Sequence, residues 1–126
     1  MSDTAAILLY SSDRTVREAV KAALGKRVAA DVPPLEITEA ATEPIVFQAL
    51  DSGKFDLAIL DGEANPSGGF GIAHRIKDEL ADPPPVLLLV VRVADAWLAT
   101  WSGAEAVTMS PINPLEFPGL VAKLLR

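Results

Sequence analysis

Apolar residues fall in five short blocks along the chain, and a stretch with helical spacing follows each of them. Ala5 to Tyr10 (AAILLY), Leu35 to Ala40 (LEITEA), Phe55 to Leu60, Pro85 to Val91 (PVLLLVV) and Ala104 to Thr108 read as strands. The third and fourth blocks are compact apolar runs, the pattern of strands buried on both faces of a parallel sheet. From Arg14 to Leu24 the apolar positions Val16, Val20, Ala23 and Leu24 share one helix face, Ser11, Ser12 and Asp13 ahead of them are capping types, and Gly25 is the stop. Pro33-Pro34 breaks the chain before the second strand. Glu43-Pro44 then opens a helix to about Asp51, with Ile45, Val46, Phe47 and Leu50 on its apolar side. The turn Pro66-Ser67-Gly68-Gly69 opens a third helix carrying Phe70, Ile72, Ala73, Ile76 and Leu80, which stops at Asp82-Pro83-Pro84-Pro85. Asp95 begins a short fourth helix through Thr100 or Trp101. Asn113-Pro114-Leu115-Glu116 reads as the start of the last helix, where Pro118 lacks the amide that would bond one turn back and so predicts a kink or a late start. Five alternations of strand and helix predict an α/β fold in which helices cover both faces of a parallel sheet.

Composition narrows what such a domain does. At 126 residues, 50% of them hydrophobic, the chain fits one domain over residues 1–126 with a real core, and no low-complexity tract or repeat divides it. No apolar run approaches the roughly 20 residues that span a bilayer, and no basic segment precedes the first apolar block, so a soluble, cytoplasmic protein is expected. The absence of cysteine excludes disulfides, thiolate metal sites and a cysteine nucleophile, and the single His74 reads as a surface helix residue. A net charge of −6 works against binding a nucleic-acid backbone, which needs clustered Lys and Arg. Nothing after residue 113 leaves room for an appended DNA-binding module, which predicts a stand-alone domain.

The position with the most chemistry is Asp61. It follows the third apolar block directly and lies at a strand's carboxyl end, where open α/β sheets place their sites, although Asp is also a common turn former.

In this order the segments resemble the receiver domain of bacterial two-component response regulators over essentially the whole chain. ILLYSSDRTVR resembles that family's first strand, acidic loop and first helix, and DLAILD its strand bearing the phospho-accepting aspartate, which places Asp61 there. PSGGFGIAHRIKD resembles the loop and third helix, PVLLLVV the fourth strand, SGAEAV the turn into the fifth, and SPINPLEF the proline-bearing loop and last helix. The resemblance implies a CheY-like, flavodoxin-like (βα)5 fold with strand order 2-1-3-4-5. It also implies phosphoryl transfer from a sensor histidine kinase to Asp61, aided by Mg²⁺ that a pair of acids helps to hold.

This chain departs from the family's pattern around Asp61. Ser11 and Ser12 occupy the acid-pair positions, Val90 the hydroxyl position on the fourth strand, about Val107 the aromatic switch on the fifth, and Ser110 the lysine before the proline, while the loop after Asp61 is one residue longer. Shifting the alignment to make Asp13 one of the acids puts Arg17 and the helix phase out of step. Mg²⁺ prefers six oxygens and usually one or two carboxylates, so with Asp61 as the only clear carboxylate it is expected to bind weakly. Glu63 is the remaining candidate as a second metal ligand. No other cofactor is expected. Without metal and lysine the charge developing in phosphoryl transfer lacks neutralisation, and without hydroxyl and ring the usual two-state element is missing.

The resulting expectation is an atypical receiver that acts as a regulatory protein-binding module rather than an enzyme, with phosphorylation absent or inefficient. Its partners would be a sensor histidine kinase, a regulated target or a second copy docked on the face of the fourth helix, fifth strand and fifth helix, with no nucleic acid and no membrane. Trp97 and Trp101, four residues apart on one helix face, are the candidate interface residues, ordinary packing onto the sheet being the other reading, favoured for Trp97. Two alternatives stand beside this one. The first is a working phosphorelay receiver using Asp61 with unusual metal use. The second is a flavodoxin-like domain whose hydroxyl-rich YSSDRT loop cradles a phosphate or nucleotide ligand at a helix N-terminus.

Overall fold

The computed structural model describes residues 3–65 and 67–126; Met1, Ser2 and Pro66 of the predicted turn lie outside the described residues. The chain runs β1 (Ala5–Tyr10), α1 (Arg14–Leu24), β2 (Leu35–Ala40), α2 (Glu43–Ser52), β3 (Leu57–Asp61), α3 (Gly69–Glu79), β4 (Val86–Val90), a 3₁₀ turn (Val93–Asp95), α4 (Ala96–Ser102), β5 (Ala106–Met109) and α5 (Phe117–Leu125). All pairings are parallel and the strand order is β2-β1-β3-β4-β5. This is the doubly wound sheet expected from the alternation of patterns, with β1, β3 and β4 at its centre.

Side-chain alternation sorts each central strand between two cores. Leu8 and Tyr10, Ala58 and Leu60, and Val86 and Leu88 face one way, onto Val46 of α2 and Ile72, Ala73 and Ile76 of α3. Ile7 and Leu9, Leu57 and Ile59, and Leu87 and Leu89 face the other, onto Val20 and Leu24 of α1 and Phe117 and Val121 of α5. Register puts Val107 opposite Leu88 and Met109 opposite Val90, so both belong to the α3 and α4 side. There α4, only seven residues long, leaves them partly in solvent.

Most predicted boundaries hold within two residues, and the exceptions have local causes. Phe55 packs against the core from outside β3, which begins at Leu57. Ile45, placed on the apolar side of its helix by the pattern, is exposed, whereas Val46 beside it is fully buried. The last helix starts late, as its proline predicts. The Asn113 Oδ1 accepts from the Leu115 amide at 2.9 Å, a turn occupies the residues after it, and α5 begins at Phe117 with Pro118 in its first turn.

The sheet and α3 meet closely where β3 ends. A Cβ on Gly69 would lie 2.7 Å from the Asp61 carbonyl oxygen, and one on Gly62 would lie 2.9 Å from the Leu89 carbonyl oxygen. Only glycine permits that approach, and it sets the position of Asp61 against the start of α3.

Candidate functional site

Asp61 closes β3 with its backbone beside Leu89 of β4, and its side chain is only 4% exposed. Both carboxylate oxygens are engaged. Oδ2 accepts from the Ser11 hydroxyl at 2.7 Å, and Oδ1 accepts from the Glu63 amide at 2.9 Å. Ser11 is itself fully buried, and its oxygen accepts from the Asp13 amide at 3.0 Å. The carboxylate of Asp13 caps α1 by accepting from the Thr15 amide at 2.8 Å. In this loop Ser11 meets Asp61 and Asp13 turns to its helix.

The neighbours of Ser11 also turn toward the loop between β3 and α3. The exposed Ser12 Oγ accepts from the Asn65 amide at 2.9 Å. Tyr10, fully buried, donates its hydroxyl to the Ser67 carbonyl. Burial pushes the Tyr10 phenol up from its usual range, and the Glu43 and Asp61 carboxylates add to the shift. Ser67 in turn donates to Glu43 Oε1 at 2.9 Å, and Glu43 is paired with Arg75 at 3.0 Å. On the other side Arg17 donates to the Ser11 carbonyl at 2.6 Å and pairs with Glu39 at 3.1 Å. The sequence pattern gave no sign of Tyr10, Arg17, Glu43 or Asn65 as members of this constellation. The run Tyr10-Ser11-Ser12 is the visible signal: Ser11 and Ser12 stand at the acid-pair positions that the resemblance implies, and in the structure all three hydroxyls meet the strand end and loop after β3.

The remaining positions lie on the β4 and β5 side. Val90 is buried at the end of β4, one residue beyond the Leu89 that neighbours Asp61, and the Ser110 amide donates to its carbonyl at 2.7 Å. Val107 is more than a third exposed. Glu63 offers its amide to Asp61, while its exposed carboxylate acts electrostatically on Arg92, whose guanidinium is held by Asp95 at 3.1 Å through two bonds. Among the described residues no group of three or more His, Asp or Glu side chains is placed to hold a metal ion. As a site for Mg²⁺ the donor set is thin in carboxylates: the side chains meeting Asp61 and its loop from the end of β1 are the neutral hydroxyls of Ser11 and Ser12.

The two tryptophans stand in solvent. Trp97 is 65% exposed, so it does not pack onto the sheet as the reading favoured for it supposed, and Trp101 is 50% exposed. The Trp101 ring stacks on His74 of α3, with centroids 4.2 Å apart and planes 9° from parallel. Val107 and Met109 of β5 and Val93 of the 3₁₀ turn are exposed, and Leu115, just ahead of α5, is almost fully exposed. Among the described residues no helix is long and apolar enough to cross a membrane.

No family model matches the chain. It is 52% identical over 120 residues to an uncharacterized response regulatory protein of Mycobacterium tuberculosis, an alignment covering 95% of this chain and 90% of that one. Among solved structures, the response regulator TrrA of Thermotoga maritima, in complex with Mg²⁺ and beryllium fluoride, aligns over 96% of this chain and 99% of its own with a TM-score of 0.77 and 26% identity. The chemotaxis response regulator CheY4 of Vibrio cholerae aligns over 97% and 99% with a TM-score of 0.79 and 18% identity. With the 2-1-3-4-5 sheet and an aspartate at the end of β3, these relatives place the chain in the response regulator family, as a CheY-like receiver domain of two-component signal transduction.

Proposed function

We propose that this receiver works as a regulatory protein-binding module in which phosphorylation of Asp61 is absent or inefficient, and that it is not an enzyme in the ordinary sense. The observation that carries the reading is the state of Asp61: nearly inaccessible, with both oxygens held by a serine hydroxyl and a backbone amide rather than set beside a second acid. A nucleophilic carboxylate needs a free oxygen in line with the incoming phosphorus and cationic groups around the developing charge. The chain offers Ser11, Ser12 and Ser110 where acids and a lysine would supply that setting.

Recognition then falls to the surface. Val93 of the 3₁₀ turn, Trp97 and Trp101 of α4, Val107 and Met109 of β5, and Leu115 before α5 are exposed apolar side chains. We take this surface as the docking site for a protein partner: a sensor histidine kinase, a regulated target or a second copy of the chain. Tryptophans are enriched among the residues that dominate interface energies.

Incubation with a small phosphodonor such as acetyl phosphate and Mg²⁺, followed by intact-mass measurement, tests the chemical half. The expected spectrum shows the unmodified protein. A phosphoryl adduct that disappears in an Asp61→Asn variant would establish a working phosphorelay receiver instead. Light scattering on wild type and Trp101→Ala tests the second-copy form of the interface, and a mass unchanged by the substitution would count against that form.

A further inference from the structure

We infer that Tyr10, Ser11 and Ser12 act together as a hydroxyl clasp, a metal-free latch that ties the end of β3 and the segment after it at three points, Asp61, Asn65 and Ser67, to the end of β1. The inference deepens the proposed function, because it rests on the reading that Asp61 is a held group more than a reacting one.

Three consecutive residues each grip a different point of that segment. Ser11 donates to the Asp61 carboxylate at its start, Ser12 accepts from the Asn65 amide in its middle, and Tyr10 donates to the Ser67 carbonyl at its end. Successive side chains of an extended chain point in opposite directions, so the phenol of Tyr10 approaches from the α3 side of the sheet while Ser11 bonds Asp61 beyond the strand end. Both ends of the clasp are themselves held. The Ser11 carbonyl accepts from Arg17 at 2.6 Å, and the Ser67 hydroxyl donates to Glu43 at 2.9 Å. Within the loop, the Ala64 amide reaches the Asp61 carbonyl at 3.3 Å, a long bond that would hold the turn weakly without the clasp.

The consequence is regulatory. A loop ordered by ion and phosphoryl group changes with their presence, whereas a loop ordered by the protein's own hydroxyls presents one surface in their absence. Any partner that reads this end of the sheet then meets a preset shape.

Hydrogen exchange read by mass spectrometry on the full chain tests this. In wild type the peptides covering residues 61–68 are expected to be protected, and millimolar Mg²⁺, with or without beryllium fluoride, is expected to leave that protection unchanged. Tyr10→Phe keeps the buried ring and Ser12→Ala alters an exposed side chain, so neither threatens the fold. Each should speed exchange of those peptides roughly fivefold, and Ser11→Ala about tenfold or more because it strips a partner from a buried charge, while peptides from β1 and β4 keep their protection. Loop protection that is unchanged in both Tyr10→Phe and Ser12→Ala, or that rises in wild type on adding Mg²⁺, would overturn the clasp. A phosphoryl adduct on Asp61 in a protein whose clasp variants still loosen the loop would remove the functional reading and leave the clasp standing.

Discussion

The two ends of the carboxyl edge of the sheet differ in how completely their groups are satisfied. Around β1 and β3, Tyr10, Ser11, Ser12 and Asp61 each have a hydrogen-bond partner, and among the described residues no buried side-chain nitrogen or oxygen lacks one. Around β4, α4 and β5, Val90 is buried, and the neighbouring surface exposes Val93, Trp97, Trp101, Val107 and Met109. In the polar site Tyr10, Ser11, Ser12 and Asp61 are each already partnered within the protein. An apolar surface with no cover gains by contact, because burying its area removes it from water. The contrast teaches that one end of this edge is tied up in hydrogen bonds within the protein, while the adjacent face leaves apolar side chains in water.

The largest expected effect on that contrast comes from comparing one substitution at each end. Asp61→Ala leaves the Ser11 hydroxyl and the Glu63 amide without their acceptor in a nearly buried place, and should lower unfolding stability by about 2–3 kcal/mol. Trp97→Ala, in a side chain that is mostly in solvent, should change it by no more than about 0.5 kcal/mol. Urea unfolding of the two variants measures both, and equal effects would erase the distinction between the bonded end and the exposed face.

Next in size is the stack that anchors α4. His74→Ala removes the ring lying parallel to Trp101 and should cost about 1 kcal/mol, with a change in tryptophan emission from α4, since an aromatic pair adds to what its buried area alone provides. Unaltered emission would mean that Trp101 holds its place without His74.

A third test uses the chain's single tyrosine. Burial raises the Tyr10 phenol above its usual range, so an ultraviolet titration should place its ionisation above 10.0. A folded-state value raised above the unfolded one gives stability that is fully present below the ordinary tyrosine range and lost as the pH rises through the folded value. Alkaline unfolding should accordingly begin with the clasp, and a phenol that ionises at the ordinary value would place Tyr10 in solvent.

The smallest effect is at acid pH. The Lys21 hydrogen bond, helped by Arg17, holds the Glu39 carboxyl below the usual glutamate range against the opposing effect of its partial burial. A depressed folded-state value gives stability present above the unfolded value and lost as the pH falls through the folded one. Because the Glu39 side chain is about a third exposed, solvent screening limits the contribution to about 0.5 kcal/mol. Comparing wild type and Glu39→Gln at neutral pH and in the acid range should show a small gap that closes on acidification.

Much of this was legible in the residues. The compact apolar runs of β3 and β4, the Pro and Gly punctuation and the capping residues each act over a few neighbours, which is why the order of elements, the aspartate at the end of β3 and the late start of α5 could be read along the chain. Family resemblance added the strand order and the substituted positions around Asp61. What lay beyond reading depends on side chains from distant segments arriving at one place. Tyr10 and Ser67 are 57 positions apart, as Ser11 and Asp61 are 50, and a hydroxyl's partner is chosen by the packing that brings the two loops together. Exposure at α4 was equally hidden. The spacing of Trp97 and Trp101 shows that they share a face, but a seven-residue helix leaves that face in water or against the sheet according to how α3 and β5 hold it. The sequence by itself determined the fold and the position of its acid, because hydrophobic period and turn chemistry are local. The tertiary structure decided which groups that acid meets, because Ser11, 50 positions away, reaches it only through the packing of separate segments.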